Sequence, residues 1–265
     1  MGLKKLKSKI RFWLEKFFHK KANGSGVGNI VDLVPSWKDC KHASCWDGSN
    51  AQRRMMNMLS PHFSDAKFDQ YLKWMKSRGC DTAHLFFGNE RDGEGAGYYA
   101  TDNVRLSKKR IQKLREEGFA IVAWLMADDS PTFSKAMFAK PDEYVKHFKE
   151  QGLFDHVSFV VLGLEMNEYG SEAQWQSVRK AVQRYLPGMK IGVHHTSGKY
   201  PFIALGDIVC DQLDPKNATT NTIYNSVKRL RALGREVIGF EYARQPNRDL
   251  ANAALRAGAF GVGNW

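Results

Sequence analysis

From about residue 40 onward the chain repeats one pattern of apolar and polar positions. A short apolar run is followed by a polar loop. Then comes a stretch with apolar residues every three or four positions, usually a glycine, and the next apolar run. The runs begin with His42–Trp46, Asp81–Phe87 and Phe119–Met126. The fourth opens Val157–Gly170 (VSFVVLGLEMNEYG), followed by Lys190–His194, Asp207–Asp211, Glu236–Phe240 and Ala259–Gly263. Unbroken apolar runs of this length suit parallel strands buried on both faces.

The intervening stretches read as amphipathic helices with recognisable ends. Ser64 caps a helix carrying Phe68, Tyr71, Leu72 and Met75, and Gly79 stops it. A helix around Ser107–Glu117 stops at Gly118, and one opened by Pro141 carries Tyr144, Val145 and Phe148 and ends near Gly152. Ser171 and Gln174 form a capping box for Trp175, Val178, Val182 and Tyr185, before Pro187 and Gly188. Tyr224, Val227 and Leu230 precede Gly234, and Arg248–Ala257 precedes Gly258.

Eight strands alternating with helices predict an α/β chain with a parallel sheet, and over residues 30–265 they match a closed (β/α)8 TIM barrel. Two features depart from the ideal. The link His195–Gly206 is too short for a full crossover helix, and no eighth barrel helix follows the eighth strand. Residues 1–21 form a separate basic amphipathic helix with Leu3, Leu6, Ile10, Trp13 and Phe17 on one face, and 22–29 read as a flexible linker. That linker follows no strand and opens no helix, so it is no phosphate loop.

Charge changes the picture only at the N-terminus. Residues 1–21 hold eight Lys/Arg and one Glu, which is +7 of the net +12. The body of the chain therefore gives little support to nucleic-acid binding. The basic helix is expected to contact a membrane surface, a larger assembly or the barrel itself. The apolar content of 43% is ample for a core. No apolar run reaches the length of a membrane span and no secretory signal is legible, so the expected location is cytoplasmic, or outside by a route not visible in the sequence. Cys40, Cys45, Cys80 and Cys210 match no zinc or redox spacing and read as buried free thiols, which fits a reducing compartment. His42 lacks a His-x-His partner, so a metal-dependent hydrolase is disfavoured, and no cofactor or metal is expected.

Barrel chemistry sits at the carboxyl ends of the strands. Those ends supply Trp46 and Asp47, His84 and Asn89, Trp124 and Asp128, Asn167 and Glu168, His194 and His195, Asp211 and Gln212, Glu241, and Trp265. Aromatic faces stack on sugar rings, while carboxylates, amides and imidazoles bond hydroxyls. The set suits a carbohydrate cleft, and two strand-end glutamates suit glycoside hydrolysis. Side chains alternate along a strand, which favours His194 over His195 as the barrel-facing member of that pair.

The LEMNEYG stretch, with Glu241 ending strand seven, resembles clan A glycoside hydrolases, retaining enzymes on a (β/α)8 barrel. The resemblance implies Glu168 as acid/base, Glu241 as nucleophile and Asn167 on the sugar 2-hydroxyl. It gives Glu165 a supporting role, and makes Trp265 and His194 or His195 substrate contacts. Trp46, His84, Trp124 and Asp128 complete the expected cleft. The clan usually has an arginine near the end of strand two, where this chain offers His84 and, beyond the strand, Arg91. The expected activity is retaining hydrolysis of a polysaccharide or oligosaccharide, the alternative a non-catalytic glycan-binding or structural barrel. A barrel without its own eighth helix would leave apolar surface near strand eight for the N-terminal helix to cover. Deleting residues 1–21 should then lower solubility and melting temperature. Unchanged values would exclude the covering role.

Overall fold

The computed structural model describes residues 42–43, 58–61, 63–77, 79–88, 103–126, 137–196, 199–214, 216–242 and 248–263, with backbone alone at 42, 43, 241 and 248. The strands are β1 (His42–Ala43), β2 (Thr82–Phe86), β3 (Ala120–Trp124), β4 (Val157–Val161), β5 (Ile191–His194), β6 (Ile208–Gln212), β7 (Glu236–Glu241) and β8 (Gly261–Val262). The helices are α1 (Asp65–Ser77), α2 (Val104–Glu116), α3 (Pro141–Glu150), α4 (Met166–Tyr169), α5 (Glu172–Tyr185), α6 (Thr220–Ala232) and α7 (Arg248–Arg256). All strands are parallel, in the order β1-β8-β7-β6-β5-β4-β3-β2. Pairing of the first strand with the last, His42 with Gly261, is the arrangement of a sheet curled into a (β/α)8 barrel.

The helix ends follow the sequence. Ser64 accepts the N–H of Lys67, and Ser171 and Gln174 form their reciprocal capping box. The glycines that stop the helices, Gly79, Gly118, Gly152, Gly188, Gly234 and Gly258, all take positive φ. Between β5 and β6 a single 3-10 turn, Ile203–Leu205, replaces a crossover helix, as the short link requires. One helix is rotated from expectation: Ile223, Ser226, Val227 and Leu230 face inward on α6, and Tyr224 is 37% exposed. The apolar face is set by Ile223, with Tyr224 stacked under the Lys228 ammonium.

The barrel interior is filled by rings from four strands. Trp124 packs on Phe240 at 4.9 Å between centroids and on His194 at 5.6 Å, and His84 lies 5.0 Å from Phe240. Outside the sheet, Arg110 of α2 is almost fully buried and donates to the carbonyls of Met58, Ser60 and Phe63 and to Asp65, tying the segment before α1 to the body. No described helix is long and apolar enough to cross a membrane. The free-thiol expectation holds for Cys210, which is buried and free, and is corrected at Cys80, which is disulfide-bonded. The argument for a reducing compartment falls with it, because spacing does not show which distant cysteines meet. The N-terminal helix, the linker, Cys40 and Cys45 lie outside the described residues.

Asp211 faces outward from β6 into a closed polar knot. It accepts hydrogen bonds from Tyr200, from Tyr242 at 2.8 Å and from Ser226 at 3.2 Å. Burial pushes its carboxyl up to about 6, against the pull of those three hydroxyls. A carboxyl raised on folding binds its proton more tightly in the folded state. Its stabilising contribution is therefore complete below the unfolded value near 4 and is lost as pH rises through about 6. Wild type should lose on the order of 3 kcal/mol relative to Asp211→Asn across that window. Urea melts of both proteins at pH 4.5 and pH 7 check this, and parallel pH dependences would refute it.

Candidate active site

The segment joining β4 to α5 carries the LEMNEYG residues, and a tryptophan holds it in place. Strand β4 ends at Val161, four residues before Glu165, so Asn167 and Glu168 lie on the one-turn helix α4 and not on the strand itself. Trp175 of α5 is fully buried beneath this segment and donates its indole N–H to the Met166 carbonyl at 2.8 Å. Gly163 and Gly170 let the indole approach this closely. A Cβ at Gly163 would lie 2.5 Å from the Trp175 ring, and one at Gly170 2.9 Å from its nitrogen and 2.6 Å from Phe138.

Held this way, the segment places its polar groups unequally. Asn167 is committed to the end of β5: its Oδ1 accepts the Thr196 N–H at 2.8 Å and its Nδ2 donates to the Thr196 hydroxyl. Glu168 is exposed, and its carboxyl has no hydrogen-bond or ion-pair partner among the described residues. Glu165 is half-buried. Its N–H donates to His194 Nδ1 at 2.9 Å and its carboxylate accepts from Gln212 Nε2 at 3.4 Å.

His84, Trp124 and His194 all belong to the packed interior beneath the mouth, each with no exposed surface. Trp124 donates its indole N–H to His84 Nδ1 at 2.9 Å. Burial, and then the neighbouring His195, lower His194 to about 3. Burial lowers His195 to about 4, with Nε2 accepting the Phe202 N–H at 3.2 Å. Both imidazoles are neutral at physiological pH and serve as hydrogen-bonding groups. His194 faces the interior and His195 packs outward on Tyr200 and Phe202, as alternation expects.

Strand β7 breaks alternation where it matters. Phe240 points into the interior, tilted against the Trp124 ring. Gly239 points outward, since a Cβ there would meet Ala254 of α7. Tyr242, two residues beyond Phe240, also points outward, reaching Asp211. A regular strand returns to the same face after two residues, so an irregularity must intervene. It appears in the pairing with β6, where Asp211 is level with Gly239 but Gln212 is level with Glu241. Trp46, Asp47, Asn89, Arg91, Asp128 and Trp265 lie outside the described residues, as does the Glu241 side chain. Gln212 lies at a strand end, and nothing in its sequence context marks it for a role.

No protein-family model matches the chain, and no curated protein does. Solved structures do. An exo-β-1,4-mannosidase from Opitutaceae bacterium strain TAV5 superposes with a TM-score of 0.59 at 18% identity, over 85% of this chain and 51% of that one. The chain thus spans about half the length of that mannosidase. A GH113 β-1,4-mannanase gives 0.57 at 13% identity, covering 85% and 87% of the two chains. A GH5_18 structure from Streptomyces cattleya in complex with GlcNAc gives 0.59 at 13% identity, covering 86% and 71%. The chain has the barrel fold of these glycoside hydrolases, the fold that the clan A resemblance implies.

The seating of the LEMNEYG segment can be tested at its closest contact. Gly163→Ala should displace the Trp175 indole, break its bond to Met166 and destabilise the fold by roughly 1–3 kcal/mol. Thermal denaturation together with the near-ultraviolet dichroism of tryptophan would register it. An unchanged spectrum and melting point would show that the indole does not set the segment's position.

Proposed function

We propose that the protein is a retaining glycoside hydrolase acting on an oligosaccharide or polysaccharide, with Glu168 as acid/base and Glu241 as nucleophile. The observation that carries the reading is the irregularity in β7. It puts Glu241 level with Gln212, whose side chain reaches Glu165 on the β4 side of the mouth. The reading assigns the second carboxylate to Glu241, which lies at the end of β7 between inward-turned Phe240 and outward-turned Tyr242.

In this mechanism Glu168 protonates the leaving oxygen as the Glu241 carboxylate attacks the anomeric carbon and forms a glycosyl ester. Glu168 then takes a proton from water, which displaces Glu241 and restores the original configuration. The two carboxyl groups are expected about 5–5.5 Å apart with substrate bound. The exposed position of Glu168 suits proton exchange with solvent between the two half-reactions. Trp46, Asp128 and Trp265 would edge the cleft, with His84, Trp124 and His194 packed beneath it rather than lining it. The neighbours named for β-1,4-mannan chemistry, and one crystallised with Manβ1-4GlcNAc, make β-1,4-linked manno-configured glycans the first substrates to try.

A second reading, a non-catalytic glycan-binding barrel, is favoured by one observation. The Asn167 amide faces Thr196 at both ends, which leaves Glu168 without the adjoining sugar contact that the catalytic reading gives Asn167. Turnover separates the two. Wild type should hydrolyse at least one member of a panel of β-1,4-linked manno-, gluco- and xylo-oligosaccharides, with a bell-shaped pH profile and retention of configuration by NMR. Glu168→Gln and Glu241→Gln should each lower kcat/KM about a thousandfold. Near-normal turnover by Glu241→Gln would remove it from the mechanism. Binding without turnover in wild type would establish the second reading.

A further inference from the structure

The mouth holds another carboxylate, on a strained backbone. Glu165 has φ 46° and ψ 46°, in the left-handed region, and among the described residues it is the non-glycine residue with positive φ. A side chain with a Cβ is strained there, and such strain persists only where the surroundings fix it. Its contacts here include two to neighbouring strands. One is the bond from its N–H to His194 Nδ1, an imidazole buried in the barrel interior. The other is the reach of its carboxylate to Gln212 Nε2.

Gln212 contributes the second, independent observation. Its Oε1 is buried and has no hydrogen-bond partner, although its Nε2 is engaged by Glu165. A buried acceptor left unmatched in a folded protein calls for a donor. The same residue is level with Glu241 on the adjacent strand. A carboxylate and an unmatched amide oxygen thus stand side by side next to the proposed nucleophile. Both are acceptors, and a sugar bearing adjacent hydroxyls presents two donors to such a pair.

We propose that Glu165 and Gln212 are substrate-contacting residues that together accept the hydroxyl hydrogens of the sugar bound beside Glu241, and that the left-handed backbone of Glu165 is retained for this contact. The inference rests on the glycosidase reading in placing a sugar at the barrel mouth. A purely structural Glu165 would stabilise the fold through Gln212. A substrate-contacting one adds strain, which glycine or asparagine at the same φ relieves.

The test uses the full chain in four forms: wild type, Glu165→Gly, Glu165→Asn and Gln212→Leu. Each is examined by thermal melting and by equilibrium binding of β-1,4-mannopentaose and cellopentaose, measured in a Glu241→Gln background to prevent turnover. Steady-state kinetics are run with Glu241 intact. The expected result is that both Glu165 variants melt at or above the wild-type temperature. Pentaose affinity should fall about ten- to hundredfold in all three variants, with KM rising more than kcat falls. Pentaose binding at wild-type affinity by Glu165→Gly or Glu165→Asn overturns the inference and leaves the glycosidase reading intact. A wild type that neither binds nor hydrolyses either sugar overturns both.

Discussion

The packing of four rings inside the barrel is the constraint on which the rest depends. His84, Trp124, His194 and Phe240 come from β2, β3, β5 and β7, and their mutual contacts require those strands to curl round one interior. Three of the rings, His84, Trp124 and His194, carry polar nitrogens that the interior has to accommodate. The bond from the Trp124 indole to His84 and the bond from the Glu165 N–H to His194 engage the indole nitrogen and both Nδ1 atoms without introducing a charge, while Nε2 of each histidine is buried without a hydrogen-bond partner among the described residues. Burial keeps His194 neutral, so the packing holds across the physiological pH range.

The mouth inherits its geometry from that interior and from the layer behind it. His194 holds Glu165 from below, and Trp175 holds Met166 from the helix side. Between these two anchors the chain makes a left-handed step and a single helical turn. The result separates three neighbouring polar residues into different environments: Glu165 over Gln212, Asn167 on Thr196, and Glu168 in solvent. On the opposite side the irregularity in β7 allows Phe240 to fill the interior while Tyr242 joins the Asp211 knot outside. One strand end therefore serves both layers, and Glu241 sits at the step between them.

Much of this was legible in the chain. The eight apolar runs, the caps at Ser64 and Ser171 and the glycine stops determined the alternating architecture, because helix ends and buried parallel strands depend on local backbone chemistry. Alternation within β5 placed His194 inside and His195 outside. The short link after β5 announced the absence of a crossover helix. On α6 the periodicity found the helix but rotated its face, since Tyr224 fits either environment by size and polarity.

What the sequence did not determine depends on contacts between residues distant in the chain. The LEMNEYG run looked like a strand end, yet the close approach of Trp175 bends it into a turn after Val161. No local signal marked Glu165 for a left-handed backbone, because glycine or asparagine is the usual occupant, and His194, 29 residues away, holds it there. The disulfide at Cys80 and the partnership of Gln212 with Glu165 are likewise matters of spatial meeting. The chain alone fixed which elements form and in what order. Only the curled sheet decided which of their polar residues share a mouth, because register and packing across the sheet set side-chain direction where local periodicity breaks.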